Sequence, residues 1–226
     1  KENLKKDTFY KDMLPALFLP LIMAVHFYGV RALIICLVSV ASAVICELAG
    51  SKIIKQIPRL SDLGSIYSGL LIALMMPASV RLWIPAVGSA FAVIFVKIPF
   101  GGAYSSPFSF TAAAFSFLSI CRSKEIFAYP VLNNNATAAV FGSENFVAGT
   151  SAAQSLLQNK THGVTAVEII NTFIGSVPGP MGMTAAVVLL GLLFYVLIRR
   201  PRSFANAISF LVVCFIGCVI TVGIDS

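Results

Sequence analysis

Apolar residues crowd into seven stretches, at about 13–30, 32–49, 63–80, 82–99, 106–121, 183–199 and 204–223. Each approaches the roughly 20 residues that a helix needs to cross a bilayer. The pattern predicts seven membrane helices, and two segments interrupt it where a helix would ordinarily run on. They are Phe100-Gly101-Gly102-Ala103-Tyr104 and the glycine- and proline-rich run Gly175 to Thr184. In lipid every backbone N–H and C=O needs a partner, so irregular chain at bilayer depth persists only where protein or a polar cavity surrounds it. Broken helices therefore mark candidate binding sites.

The first five spans, with short connections such as Gly29-Val30-Arg31 and Pro77-Ala78-Ser79-Val80-Arg81, make one unit over residues 1–121. Residues 122–182 follow as a non-cytoplasmic loop. Its first part is polar, with Arg122, Lys124, Glu125, Asn133 and Glu144, and 163–176 read as an interfacial or re-entrant helix holding Glu168, Asn171 and Thr172. Two further spans occupy 183–226, joined by Arg199-Arg200-Pro201-Arg202. Five spans, a long outer loop and a fresh start form the hydropathy layout of an inverted repeat, because an odd number of helices flips the second copy. The expected fold is thus an all-α integral membrane protein, an inverted-repeat helical bundle with broken helices, its second repeat incomplete within these residues.

Composition agrees: 58% of residues are hydrophobic, 11% are charged and the mean hydropathy is +0.91, which excludes a soluble domain of ordinary make-up. Cytoplasmic loops retain positive charge, and a cytoplasmic N-terminus places eleven of the sixteen Lys and Arg inside. Only Arg31, Arg81, Arg122, Lys124 and Lys160 then lie outside. The net charge of +7 needs no nucleic acid to account for it. A cleavable signal peptide is not expected, since Lys1 to Lys11 leads into a full-length span without a small-residue cleavage site.

Candidate chemistry is sparse. His26 and His162 are far apart in topology, no nucleophile triad assembles, and the five cysteines show neither zinc spacing nor a disulfide framework. Cys214 and Cys218 share a helix face, as half of an iron–sulfur site or as small core hydrophobes. No metal ligands or catalytic residues are assigned. Asp62 and Ser65 at the mouth of the third span are candidates for an ion path, with electrostatic support of a helix N-terminus as the plainer role of Asp62. Glu47 and Lys97 read as snorkelling groups near span ends.

Several of these segments together resemble the RnfD/NqrB family, which comprises the RnfD membrane component of the Rnf electron-transport complex and its relative NqrB from the sodium-pumping NADH:quinone reductase. The segments are Ser61-Asp62-Leu63-Gly64-Ser65 with Gly69 to Leu74, Phe100-Gly101-Gly102 with Phe108 and Ala114-Phe115, and Gly175-Ser176-Val177-Pro178-Gly179 with Gly182 and Thr184. Ser109-Phe110-Thr111 stands where the family has Asn-Pro-Ala, and Met183 where it has Glu. The resemblance implies an FMN attached through a threonine hydroxyl in a Ser-Gly-Ala-Thr motif, whose counterpart here is Ala148-Gly149-Thr150-Ser151. Gly149, Thr150 and Ser151 are then flavin-site candidates, Thr150 and Ser151 having the helix N-cap as their alternative. Gly101, Gly102, Tyr104, Phe108, Gly179, Gly182 and Thr184 are candidates for contact with FMN or riboflavin, with tight helix packing as the alternative for the glycines.

The resemblance further implies a bacterial inner-membrane subunit that passes electrons between flavin carriers, coupled to Na⁺ or H⁺ movement. Its partners would be other Rnf- or Nqr-type subunits, among them a flavin subunit and iron–sulfur subunits. Two other classes stay open: a urea-transporter-like solute or flavin permease with the same layout of broken helices, and a scaffold subunit without flavin.

Overall fold

The structure, a computed structural model, describes residues 2–53, 63–100, 108–130, 170–171, 173–175, 177–199, 205 and 208–217. All the regular elements described are helices. The chain opens with α1 (Glu2–Tyr28) and α2 (Val30–Ile53), whose stretches Tyr10–Tyr28 and Val30–Lys52 are long and apolar enough to cross a membrane. Pro15 and Pro20 sit inside α1 without ending it. Between the two helices Gly29 adopts φ +67°, a conformation that costs glycine nothing because it has no Cβ. Its N–H closes the last turn of α1 on Val25 O at 2.8 Å.

The expected span 63–80 is shorter. Here α3 (Gly64–Met75) runs for 12 residues, about 18 Å of helix, against a hydrocarbon core of about 30 Å. It stops because Met76 precedes Pro77: the proline ring disfavours helical backbone one residue earlier, and Met76 is extended at φ −93°, ψ 157°. The connection 76–82, expected to be a simple turn between spans, is part of the core, with Met76, Ala78 and Val80 buried. Then come α4 (Trp83–Phe91) and, continuous with it, a π-helical turn over Ala92–Lys97, whose wider spiral shows in Ile98 N donating to Val93 O five residues back at 2.9 Å. After it follow α5 (Phe110–Cys121) and a short α6 (Ser123–Ile126).

Buried residues cover most of α3, including Ser65, Ser68, Gly69, Ile72 and Leu74, so it forms the middle of the bundle, in contact with α1, α2, α4 and α5. Lipid is as apolar as leucine, so helices associate in it through close packing and hydrogen bonds rather than by burying apolar surface. Small residues supply the closeness here. A Cβ at Gly69 would lie 2.9 Å from Val40 Cα, and one at Gly88 would meet the Leu118 side chain. Hydroxyls add cross-links, Ser39 Oγ to Gly69 O and Ser42 Oγ to Ala86 O, each 2.7 Å. Phe91 and Phe117 stack face to face with centroids 4.2 Å apart. Large apolar side chains such as Ile22, Leu37, Ile45, Phe95 and Ile120 point outward, as a lipid-facing surface requires.

This unit reaches to Val188 and so includes the start of α7 (Ala186–Arg199). A second unit, Leu189–Ser226, holds the rest of α7 and α8 (Ile208–Gly217), whose described side chains, among them Phe210, Val213 and Phe215, are exposed. The fold is therefore all-helical and of the membrane type.

Candidate functional site

The second glycine- and proline-rich segment is unwound, as its composition predicts. Residues 170–171 and 173–174 are helical, and Gly175 N donates to Asn171 O at 2.9 Å. Gly175 itself is at φ +96°, and a Cβ there would come within 2.9 Å of Ala185 Cα, so both its conformation and its close approach require glycine. From Val177 to Ala185 the chain is non-helical, and it crosses the end of α3.

That crossing is a backbone pairing. Gly182 N donates to Leu74 O at 2.8 Å and Met181 N to Met76 O at 3.0 Å. The last carbonyls of a helix have no partner within it, and those at the end of α3 lie deep in the bundle, where an unmade bond is costly. The unwound segment 177–185 thus satisfies carbonyls at the end of α3 and the start of the loop 76–82. Gly182 permits the contact, since a Cβ there would lie 2.7 Å from Leu74 Cβ. Among the described residues, the second break meets the end of α3 and the loop after it, while Gly101 to Tyr104 of the first break lie outside the described residues.

Two side chains from the α1–α2 corner fasten the same region. Tyr28 Oη donates to Gly179 O at 3.1 Å. Arg31, 3% exposed, donates through Nε to Ala78 O at 2.6 Å and through its NH2 group to Val80 O at 3.2 Å. Arg31 is therefore not an exposed basic flank but a buried clamp on the unwound loop, its planar fork matched to two carbonyls. Beyond α6, Ser79 Oγ donates to Ala128 O at 2.5 Å, and burial pushes the neighbouring Tyr129 phenol up from its ordinary value.

A second polar cluster sits in the same unit. Lys97, the last residue of the π-helical turn, is 3% exposed, and its ammonium donates to Glu47 Oε1 on α2 at 2.5 Å and to Ser65 Oγ on α3 at 2.7 Å. Snorkelling is thus the wrong description of Lys97, whose ammonium turns into the bundle, and Glu47, though partly exposed, turns to meet it. A sequence signal for this exists. Ala32, Cys36, Ser39, Ala43, Glu47 and Gly50 recur at intervals of three and four, one face of α2, and all but Glu47 are buried, with Glu47 partly so. Glu47 lies in register with the core rather than with the lipid face.

Of the other residues expected at a site, Phe108 lies edge-on to Phe100 with centroids 5.5 Å apart and is 51% exposed. Ser109 caps α5, its Oγ accepting from Ala112 N at 3.5 Å and bonding Thr111 Oγ1 at 2.7 Å. Serine and asparagine are comparable N-caps, so the residue here at the Asn position of the family's pattern serves as the cap of α5. Gly179 is buried and Thr184 half-buried, with Thr184 Cγ2 3.3 Å from where a Gly179 Cβ would stand. Met183, in the family's Glu position, is exposed. Ser65 is in the Lys97 cluster, while Asp62, Gly101, Gly102, Tyr104, Gly149, Thr150 and Ser151 lie outside the described residues. So does Cys218, and Cys214 is exposed.

The chain is similar to the D subunit of the ion-translocating oxidoreductase complex of Methanosarcina acetivorans, 33% identical over 128 residues that cover 55% of this chain and 44% of that protein. It is also similar to the protein of the same name from Rhodobacter capsulatus, at 30% over 183 residues, 72% of this chain and 51% of the other. To the D subunit of the Na(+)-translocating ferredoxin:NAD(+) oxidoreductase complex of Acetobacterium woodii it is 33% identical over 92 residues, 41% of this chain and 29% of that protein. The chain thus spans about half the length of these curated relatives, or less. Residues 2–225 match the family described as NQR2, RnfD, RnfE, with unwound chain where the second glycine motif falls, and the chain belongs to that family.

Proposed function

We propose that the chain is a flavin-bearing membrane subunit of an ion-translocating electron-transport complex of the Rnf or Nqr type. The observation that carries this reading is the meeting of the unwound segment 177–185 with the end of α3 and the unwound loop 76–82, inside the helical bundle of a member of this family. Such paired breaks are how membrane folds build sites out of backbone. Relatives named as subunits of ion-translocating oxidoreductase complexes support the wider setting.

FMN, when bound, supplies the electron chemistry, and the chain's part is to hold and orient it. The residue types fit that task. Thr150 and Ser151 offer hydroxyls for a phosphoester link, with Gly149 allowing close approach. Phe108 presents an exposed ring surface suited to a planar ring system, with Gly101, Gly102 and Tyr104 close to it in the sequence. Thr184, Gly179 and Gly182 contribute from the second break, where the carbonyl of Gly179 and the N–H of Gly182 already hold the segment in shape. Riboflavin is the alternative flavin. Electrons enter from and leave to other carriers of the complex, a flavin subunit and iron–sulfur subunits, with Na⁺ or H⁺ moved across the bilayer. The reading places the chain in a bacterial inner membrane with a cytoplasmic N-terminus and the inverted-repeat layout.

The test is a denaturing gel viewed under ultraviolet light. Wild type is expected to show a fluorescent band that Thr150→Ala or Ser151→Ala abolishes, whichever is the acceptor. A colourless preparation that moves urea or riboflavin into liposomes would instead identify a permease.

A further inference from the structure

Arg81 stands two residues before α4 and Arg122 directly follows α5, so both mark the level at which chain leaves the bundle. Their side chains are exposed, at 60% and 48%, and both turn to one carboxylate: Arg81 Nε lies 4.0 Å from Glu125 Oε2, and the Arg122 NH1 group 3.1 Å from Glu125 Oε1. We propose that this corner binds the headgroup of an anionic phospholipid, with an acyl chain laid along the outer face of α4.

Charge is the first reason. Lys124, also exposed, joins the two arginines, and three positive charges against the one carboxylate of Glu125 leave an excess of two. Among the described contacts each arginine gives Glu125 a single nitrogen, whereas a guanidinium carries five N–H donors in a fork that fits phosphate oxygens. The corner can take a second anion.

Depth is the second reason. Arg122 Cζ stands 5.0 Å from the Trp83 ring centroid, and Trp83 is itself 44% exposed. Tryptophan concentrates at the headgroup level of a bilayer, its apolar body toward the chains and its N–H toward water. A cation against that ring sits where lipid phosphates lie.

Length is the third. After Trp83, the positions Val87, Ala90 and Ile94 follow at intervals of four, three and four, which sets all of them on one side of the helix. Val87 and Ile94 are exposed like Trp83, and the small Ala90 between them is half-buried, so the lane has a shallow gap. From Trp83 to Ile94 the rise is about 16 Å, half of a hydrocarbon core of roughly 30 Å. That is the depth of one leaflet, the length an acyl chain fills.

The only tryptophan of the chain therefore reports on this corner. The full chain is reconstituted in phosphatidylcholine nanodiscs containing a small share of acyl-brominated phosphatidylglycerol or of acyl-brominated phosphatidylcholine, because bromine quenches tryptophan on contact. Each curve is normalised to the same protein in unbrominated lipid. A basic residue near an anionic headgroup contributes about fivefold to binding, so phosphatidylglycerol should half-quench Trp83 at a mole fraction roughly tenfold below that of phosphatidylcholine. Arg81→Gln/Arg122→Gln should bring the two curves together. Glu125→Gln should move the phosphatidylglycerol curve the other way, to a still lower mole fraction, since the competing carboxylate is gone. A folding defect weakens binding and does not produce that gain.

Equal quenching by both lipids in wild type, a ring that neither lipid quenches, a preference that survives loss of both arginines, or a Glu125→Gln protein without the gain overturns the proposal. The flavin gel shares no readout with this assay, so the two proposals fail separately.

Discussion

Arg31 and Lys97 are both buried to 3% exposure in the same bundle, yet they are held in different ways. Arg31, at the start of α2, spends its described bonds on the carbonyls of Ala78 and Val80. Lys97 meets a carboxylate and a hydroxyl, at a point on α2 about 24 Å further along the helix, given the 16 residues from Arg31 to Glu47. The first arrangement stitches an irregular loop to a helix, using a fork that fits two acceptors and is always charged. The second joins two opposite charges, the ammonium making a point contact from a flexible stem. A clamp on two carbonyls and an ion pair call for different cations, and the chain supplies each.

Separating the charges of the pair should have the largest effect on stability. Lys97→Met leaves Glu47 largely buried without its partner, and breaking a buried pair from one side costs about 3–5 kcal/mol. Because Glu47 keeps some exposure, the lower end of that range is expected. Adding Glu47→Gln should restore most of the loss, since neutral groups of similar shape avoid the stranded charge. The check is the thermal midpoint of detergent-purified protein, measured for both single variants and the double in one buffer. Equal loss in the single and the double variants would mean that shape, not charge, decides this end.

The clamp comes next. Arg31→Met strips two buried carbonyls of charged donors, at about 2–4 kcal/mol. Arg31→Lys should recover little, because one ammonium cannot reproduce the paired geometry. Full recovery by lysine would erase the distinction between the two cations.

What Arg31 clamps is the loop that meets the second break, so the third prediction probes that meeting directly. Gly182→Val would push a side chain into Leu74, with Cβ 2.7 Å from Leu74 Cβ and 3.2 Å from its carbonyl oxygen, at about 1–3 kcal/mol. Leu74→Ala should cost stability alone yet relieve part of the valine's penalty, giving a measurable coupling between the two sites. Additive losses in the same thermal assay would argue that the segments do not touch.

Much of this was legible beforehand, for identifiable reasons. Long apolar runs fixed α1 and α2, and the run Gly175 to Thr184 was readable as unwound because it carries more glycine and proline than a helix tolerates. The stop at Met76 was written in Pro77 but read as the edge of a span, since hydropathy alone does not register that a loop can be buried. Arg31 and Lys97 were missed as buried residues because charge counting assigns every basic residue to a loop or an interface. Only the helical period, which sets Glu47 on the face of Ser39 and Ala43, argued otherwise. The pairing of 74–76 with 181–182 joins residues about a hundred positions apart, and no local pattern encodes that.

A third cation shows what exposure does to the same chemistry, and it carries the smallest expected effect. Arg122, about half exposed, lies 5.0 Å from the Trp83 ring centroid and 3.1 Å from Glu125 Oε1, while Arg81 approaches the other oxygen at 4.0 Å. All of these groups are partly exposed, which weakens such contacts, so Arg122→Ala should cost no more than about 1 kcal/mol. Its consequence should be optical instead. Trp83 is the only tryptophan in the chain, and removing the guanidinium from its face should shift its emission while leaving the thermal midpoint nearly unchanged. A loss as large as that of Arg31→Met would mean that exposure does not separate these cations, and that the difference between buried and exposed charges needs another cause.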